Sequence, residues 1–237
     1  MTSPDLPPVT RVSSPAVPAL ARRALPALAL MPAMLLLAVV LAPPLNHDVA
    51  AVLAFTRRWL GGEALYRDLV DVNPPLVFLL NLPAAAVGAA LPGAEVPVLQ
   101  ACLLGWVALS VGLALRLLER AGPVEGAALT AGLPALALAA GYDFGQREHL
   151  MAVGALPYLV VAARRADGVP PGRAACLGTA LLAGLGFALK PHFLAIPALV
   201  EGYLLWRRGP ARAVRDPVPW AMAGLWLLYL AAIPICF

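Results

Sequence analysis

Asp48, Asp143 and Glu148 are carboxylates able to take a proton, and Arg147, Lys190 and His192 are cations able to hold an anion. They fall in three short polar stretches of an otherwise apolar chain: NHDVAAVLAFTRRWLGGEALYRDLVDVNPPL (46–76), GYDFGQREHL (141–150) and LKPHF (189–193). The first packs four acids, three arginines and a histidine into 31 residues. Gln146, Arg147 and Glu148 abut an apolar run, and Lys190 lies inside one, with nothing polar before it back to Thr179. Ionisable groups in such surroundings are costly and need a carboxylate or phosphate as partner. Acids, arginines, a lysine and histidines on one membrane face would hold a lipid phosphate, the bilayer keeping the tail and the cations the head group. A carboxylate beside it could act as general base for an incoming hydroxyl or amine. Each group also has a plainer reading: Asp48 as a helix N-cap worth about 1 kcal/mol, and the second stretch as solvated loop charges capping the next helix. No Walker-type loop, GxSxG or HExxH is present, so soluble nucleotide chemistry lacks support.

The elements that must position these residues follow from composition. Hydrophobic residues make up 61% of the 237 residues, charged residues 13%, and mean hydropathy is +0.82, far from the roughly one-quarter charged content of soluble chains. The expected fold class is an all-α polytopic membrane protein. Cys102, Cys176 and Cys236 lie in apolar runs without CxxC or Cys/His spacing and imply neither disulfides nor zinc. The apolar runs are 24–42, 75–92, 97–115, 124–141, 150–163, 174–189, 191–206 and 217–237, after a Pro/Ser-rich, disordered cytoplasmic tail over 1–23. The 24–42 run is longer than the core of a signal peptide and reads as an uncleaved first span. Val49, Val52, Leu53 and Leu60, ended by Gly61-Gly62, predict a short amphipathic helix at the membrane interface.

The basic residues set the topology. Arg11, Arg22, Arg23, Arg116, Arg120, Arg164, Arg165, Arg173, Arg207, Arg208, Arg212 and Arg215 are 12 of the 17 lysines and arginines, and all fall in the tail or in three short connectors. They belong in the cytoplasm by the positive-inside tendency, which also explains the net charge of +4 without nucleic acid as a partner. If all eight runs crossed, the 116–126 connector would be external and 141–150 cytoplasmic, against that tendency. One run before Arg116 therefore stays on the external side. The 75–92 run is the candidate, because it starts at Pro74-Pro75 and is interrupted by Asn81 and Pro83. Seven spans result, at 24–42, 97–115, 124–141, 150–163, 174–189, 191–206 and 217–237, with an external loop of surface helices over 43–96. The Lys190-Pro191 junction predicts a tight hairpin between 174–189 and 191–206.

A first span, an acid opening an external helix, then WLGGEALYRD and NPPL leading into a short apolar helix resemble the N-terminal module of GT-C-fold integral membrane glycosyltransferases. The resemblance covers about residues 41–201 and is nearest the branch of aminoarabinose transferases and protein O-mannosyltransferases, family 39-like. It implies transfer of a sugar from a polyprenyl-phosphate carrier to a lipid, polysaccharide or protein acceptor at the periplasmic face of a bacterial-type inner membrane. On that resemblance Asp48 is the catalytic acid, with Asp143 or Glu148 organising the site. Lys190 meets the carrier phosphate, with Arg147, His192, Arg67 and Tyr66 as further substrate-binding candidates. Asn73 stands where the branch has a lysine, and Val49 follows Asp48 where a second acid is often found, which leaves a divalent metal open. Family members are longer, so the chain is expected to be a fragment or a truncated paralogue. The alternative is a non-catalytic membrane protein, either a carrier-lipid transporter or a degenerate partner subunit.

Overall fold

The computed structural model describes residues 19–118 and 123–236, and among them it is helical without a strand. Residues 1–18 of the tail, including Arg11, and Arg120 lie outside the described residues. Ten α-helices follow: α1 (Ala19–Leu41), α2 (His47–Leu60), α3 (Pro75–Ala90), α4 (Glu95–Leu117), α5 (Pro123–Leu138), α6 (Arg147–Ala166), α7 (Arg173–Phe187), α8 (Ala195–Arg208), α9 (Pro210–Val214) and α10 (Pro217–Cys236). Short 3₁₀ turns at Gly141–Asp143 and Pro191–Leu194 precede α6 and α8. α1 starts at Ala19 rather than at residue 24, so the last residues of the predicted tail are helical.

Two helices are long and apolar enough to cross a membrane, Glu95–Leu117 and Pro217–Pro234, where seven were expected. The other apolar segments, Ala27–Leu41, Pro75–Ala90, Gly126–Leu138 and Arg173–Phe187, are shorter. α6 is 20 residues long but carries Arg147, Glu148, Arg164 and Arg165 at its two ends, which dilutes its apolar character.

α4 and α6 run in the same direction. Trp106 Nε1 donates to the Leu150 carbonyl (3.0 Å), Ser110 bonds the Val153 carbonyl, and Arg164 Nη1 donates to the Leu117 carbonyl (3.1 Å). α7 returns against α6, and an added Cβ on Gly186 would come within 3.2 Å of the Met151 Cα, so the two backbones approach closely there. α10 packs on α7, and Trp226 Nε1 donates to the Gly184 carbonyl at 2.9 Å. After the turn at Lys190 the chain reverses as expected, but α8 lies chiefly against α6 instead of forming a packed hairpin with α7. The reason is polar: Glu201 of α8 bonds Tyr158 and Arg165 of α6.

α2 buries Val49, Val52, Leu53 and Thr56 against α3 and its neighbours. α3 runs through Asn81 and Pro83 as one helix, and Asn81 Nδ2 bonds the Val77 carbonyl at 2.8 Å. Val77 and Asn81 share a crevice with Asp48 near the start of α2. Gly88 near the end of α3 touches Glu95, which Arg57 of α2 holds at 2.9 Å. Both ends of α3 thus lie along α2, and the chain enters α4 at the end of the bundle where it left α1.

Candidate functional site

Asn46 organises this end of the molecule. It is 2% exposed; its Oδ1 accepts from the Asp48 N–H (2.9 Å) and its Nδ2 donates to Asp143 Oδ1 (3.4 Å). Asn46 is therefore the N-cap of α2, which corrects the sequence reading of Asp48 as the cap. The carboxylate of Asp48, in the first turn of α2, turns to other partners. Its Oδ2 is 3.5 Å from Arg147 Nη2 and its Oδ1 is 3.3 Å from His47 Nε2, with 45% of the side chain exposed. Arg147 is only 12% exposed, so a well-buried cation faces an open acid.

Asp143 joins the same group indirectly, accepting from Asn46 and from Gln146 Nε2 at 3.0 Å. The connector can come this close because Gly145 has φ +87°, and an added Cβ would lie 2.7 Å from Leu103 Cδ1. His149 is buried and structural: its Nε2 donates to the Ala137 carbonyl (2.7 Å) and its Nδ1 accepts from the Gly145 N–H (3.1 Å). Tyr142 accepts from the His47 N–H at 3.3 Å and stacks on its ring.

The next residue along α6 makes the second pair. Glu148 bonds Lys190, tying the start of α6 to the turn after α7, with Glu148 49% and Lys190 22% exposed. Burial pushes the Glu148 carboxyl up, but the Lys190 ammonium outweighs it and holds the group below its ordinary value. Lys190 Nζ also lies 5.9 Å above the Phe193 ring. His192 is exposed, set edge-on to Phe193, and makes no hydrogen bond or ion pair with the acids among the described residues.

Arg67 and Tyr66 are placed otherwise. Arg67 is held by Asp68 (3.0 and 2.9 Å), whose carboxyl Arg67 and the Ala64 N–H together draw down to about 2. Tyr66 has φ +67°, a strained conformation for a bulky residue, and its hydroxyl donates to the Asn73 carbonyl at 2.6 Å. Its ring stands edge-on to Phe78, so this residue braces the loop against α3. Asn73 contributes that carbonyl, where the resemblance would place a lysine.

Beneath Asp48 and Arg147 lies a crevice of about 10 Å³, the room one water needs, lined also by Val49, Val52, Val77, Asn81 and Gly145. The buried Oδ1 of Asn81 has no hydrogen-bond partner among the described residues. No three His, Cys, Asp or Glu side chains among the described residues are grouped to hold a metal ion. Asp48 and Glu148 already face cations and Asp143 faces amides, so the side chains present do not fit the divalent metal left open above.

The sequence reading missed a second ionic centre at the other end of α6. Arg165, 1% exposed, donates to both oxygens of Glu201 (2.7 Å each) and to Asp216 Oδ2 (2.6 Å). Arg208 Nη1 reaches the same Asp216 oxygen (3.0 Å), Asp216 Oδ1 accepts from the Val218 N–H (3.2 Å), and Tyr158 donates to Glu201 (3.0 Å). The usable signal was Glu201, an acid inside an apolar run. Glu148 and Arg165 are roughly 26 Å apart along the helix at 1.5 Å per residue. Comparison with known proteins adds no name to either centre: no family model, no curated protein and no solved structure matches this chain.

Proposed function

We propose that the chain is a polytopic membrane protein of about seven spans, N-terminus cytoplasmic, with α2 and α3 on the external face. Its external end would act as a glycosyltransferase site using a polyprenyl-phosphate-linked sugar. The membrane reading is supported by how little of the two long apolar helices is covered: 33% of the apolar window of Glu95–Leu117 and 11% of Pro217–Pro234 are buried. A soluble protein would hide such helices in its core. Leu28, Met31, Met34, Leu35, Leu199 and Leu228 are likewise exposed, and only lipid or a partner would cover them. The shorter segments then cross with their charged ends at the interfaces, where arginine and lysine side chains reach the head groups.

The transferase reading rests on one observation: consecutive residues of α6, Arg147 and Glu148, pair with Asp48 and Lys190, both through half-open carboxylates. A donor phosphate meeting this surface competes with Asp48 for Arg147 and with Glu148 for Lys190. Taking the cation releases the carboxylate, so binding the donor produces the base that deprotonates the acceptor hydroxyl or amine. The sugar carbon then bonds to the acceptor oxygen or nitrogen as its bond to the phosphate oxygen breaks, and the carrier phosphate leaves held by Arg147 and Lys190. On this scheme Asp48 is the base and Asp143 positions Asn46 and with it the start of α2, which carries Asp48.

The rival reading, a non-catalytic partner subunit or carrier-lipid transporter, is favoured by a specific feature of the same surface. Arg57, Arg58, Arg67, Arg147 and Lys190 each already face a carboxylate. Asp48→Asn decides between them. Because Asn46 supplies the cap, the variant keeps the start of α2 and loses the base together with the charge facing Arg147 and His47. Sugar transfer in membranes should fall by ~10²–10⁴-fold, whereas turnover unchanged from the parent would remove Asp48 from the mechanism. Reporter fusions after Gly168 and Arg120 should read cytoplasm and one after Gln146 periplasm; an external Arg120 would sink the seven-span topology.

A further inference from the structure

The arginine-rich end of the bundle holds a cavity of about 840 Å³ between the α6–α7 connector, α9 and the starts of α7 and α10. Arg173, Arg208, Arg212 and Arg215 line it, with Asp216 the one acid. That acid is not available to them all. Arg165 and Arg208 carry two positive charges, Glu201 and Asp216 two negative, and the four are bonded into a neutral knot. Arg173, Arg212 and Arg215 are left over, and none makes an ion pair or hydrogen bond among the described residues. Three uncompensated guanidinium groups therefore border one space. Buried at its edge, Arg208 Nε has no hydrogen-bond partner among the described residues.

Two further properties select the ligand. α7 begins at the cavity, at Arg173, and adds the partial positive charge of its N-terminus, whereas that of α10 is already met by Asp216. Pro170, Pro171, Leu177, Trp220 and Ala221 form an apolar wall, and Trp220 is fixed there by an Nε1–H bond to the Val214 carbonyl (2.7 Å). Arginine forks match phosphate oxygens in pairs, and an apolar wall beside them suits a glycerol backbone and the first methylenes of an acyl chain. A volume of this size admits a head group.

We propose that this cavity binds a phosphate group, carried either by the head of an anionic lipid or as free phosphate. The site lies at the opposite end of α6 from Asp48 and stands whether or not the transferase reading does. Binding there would hold the α6–α7 connector and α9 together through one shared anion.

The test uses the purified full chain in zwitterionic detergent, titrated calorimetrically with short-chain phosphatidic acid, short-chain phosphatidylcholine and inorganic phosphate. Saturable binding of phosphatidic acid, at least tenfold tighter than phosphatidylcholine, is expected. The variant Arg173→Gln/Arg212→Gln/Arg215→Gln should lose at least tenfold in affinity, and lysines at the same three positions should restore most of it. Inorganic phosphate binding with the same arginine dependence would support free phosphate as the ligand. Equal affinity for the two lipids together with no phosphate binding overturns the proposal on the parent protein alone. Unchanged affinity in the glutamine variant overturns it too.

Discussion

At one end of α6, Arg147 and Glu148 each meet a single partner across a half-open surface; at the other, Arg165 is 1% exposed and bonded to two acids at once. The same helix thus carries ion pairs of two kinds. A buried guanidinium with both carboxylates satisfied has no alternative partner, and removing it leaves Glu201 with only the Tyr158 hydroxyl and Asp216 with Arg208 alone for a cation. An open pair competes with water and with any arriving anion, so it adds little to stability and remains exchangeable. The comparison teaches that charge in this chain has two uses, a fixed one that fastens α6, α8 and α10, and a labile one that leaves carboxylates ready at a surface.

The largest effect is expected from Arg165→Met, which should lower stability by about 3–5 kcal/mol, read as the unfolding midpoint in detergent. A loss below about 1 kcal/mol would mean that the two ends do not differ in kind. Next comes Gly145→Ala. Its positive φ and the 2.7 Å approach to Leu103 should together cost about 1–3 kcal/mol. Hydrogen exchange should quicken over residues 141–150 first, because Asn46 and Asp143 then lose their alignment; protection unchanged there would show the connector is not held by this approach. Lys190→Met should change stability by no more than about 1 kcal/mol, measured by the same unfolding. A cost equal to that of Arg165→Met would break the contrast.

The smallest effect concerns Asp68. Its carboxyl is drawn down from the ordinary range to about 2 by Arg67 and the Ala64 N–H. A depressed acid contributes stability that is present above its unfolded value, near 3.8, and is lost as pH falls through the folded one. The 64–69 turn should therefore hold at pH 5 and loosen between about pH 4 and 2, visible as faster exchange of the Ala64 and Leu69 amides. In Asp68→Asn that acid step should vanish; its persistence would assign the loosening to another group.

How much could be read beforehand differs by residue. The boundaries of α4 and α7 follow closely from apolar runs bounded by Pro, Gly and charge, since a helix in such a chain must satisfy its own backbone. Lys190 and Glu148 were legible as ionisable groups in apolar company, though not as partners, being 42 positions apart. Arg165 was read, with its neighbour Arg164, as one more topology signal; its partners lie 36 and 51 positions away and only packing of α8 and α10 brings them. Asn46 was overlooked beside the more conspicuous Asp48, although an amide before a helix is as good a cap as an acid.

By itself, the sequence determined an all-helical chain with most of its charged residues at the ends of apolar segments, because apolar run length and punctuation are local properties of the chain. Tertiary structure alone decided which charges meet. It set Asn46 rather than Asp48 as the cap, sent α8 to α6 instead of α7, and tied Arg208 of the cavity into a neutral knot with Arg165 while leaving the cavity's Arg173, Arg212 and Arg215 without a carboxylate among the described residues. The physical reason is range: a helix is specified within a few residues, whereas an ion pair depends on where distant helices place their ends.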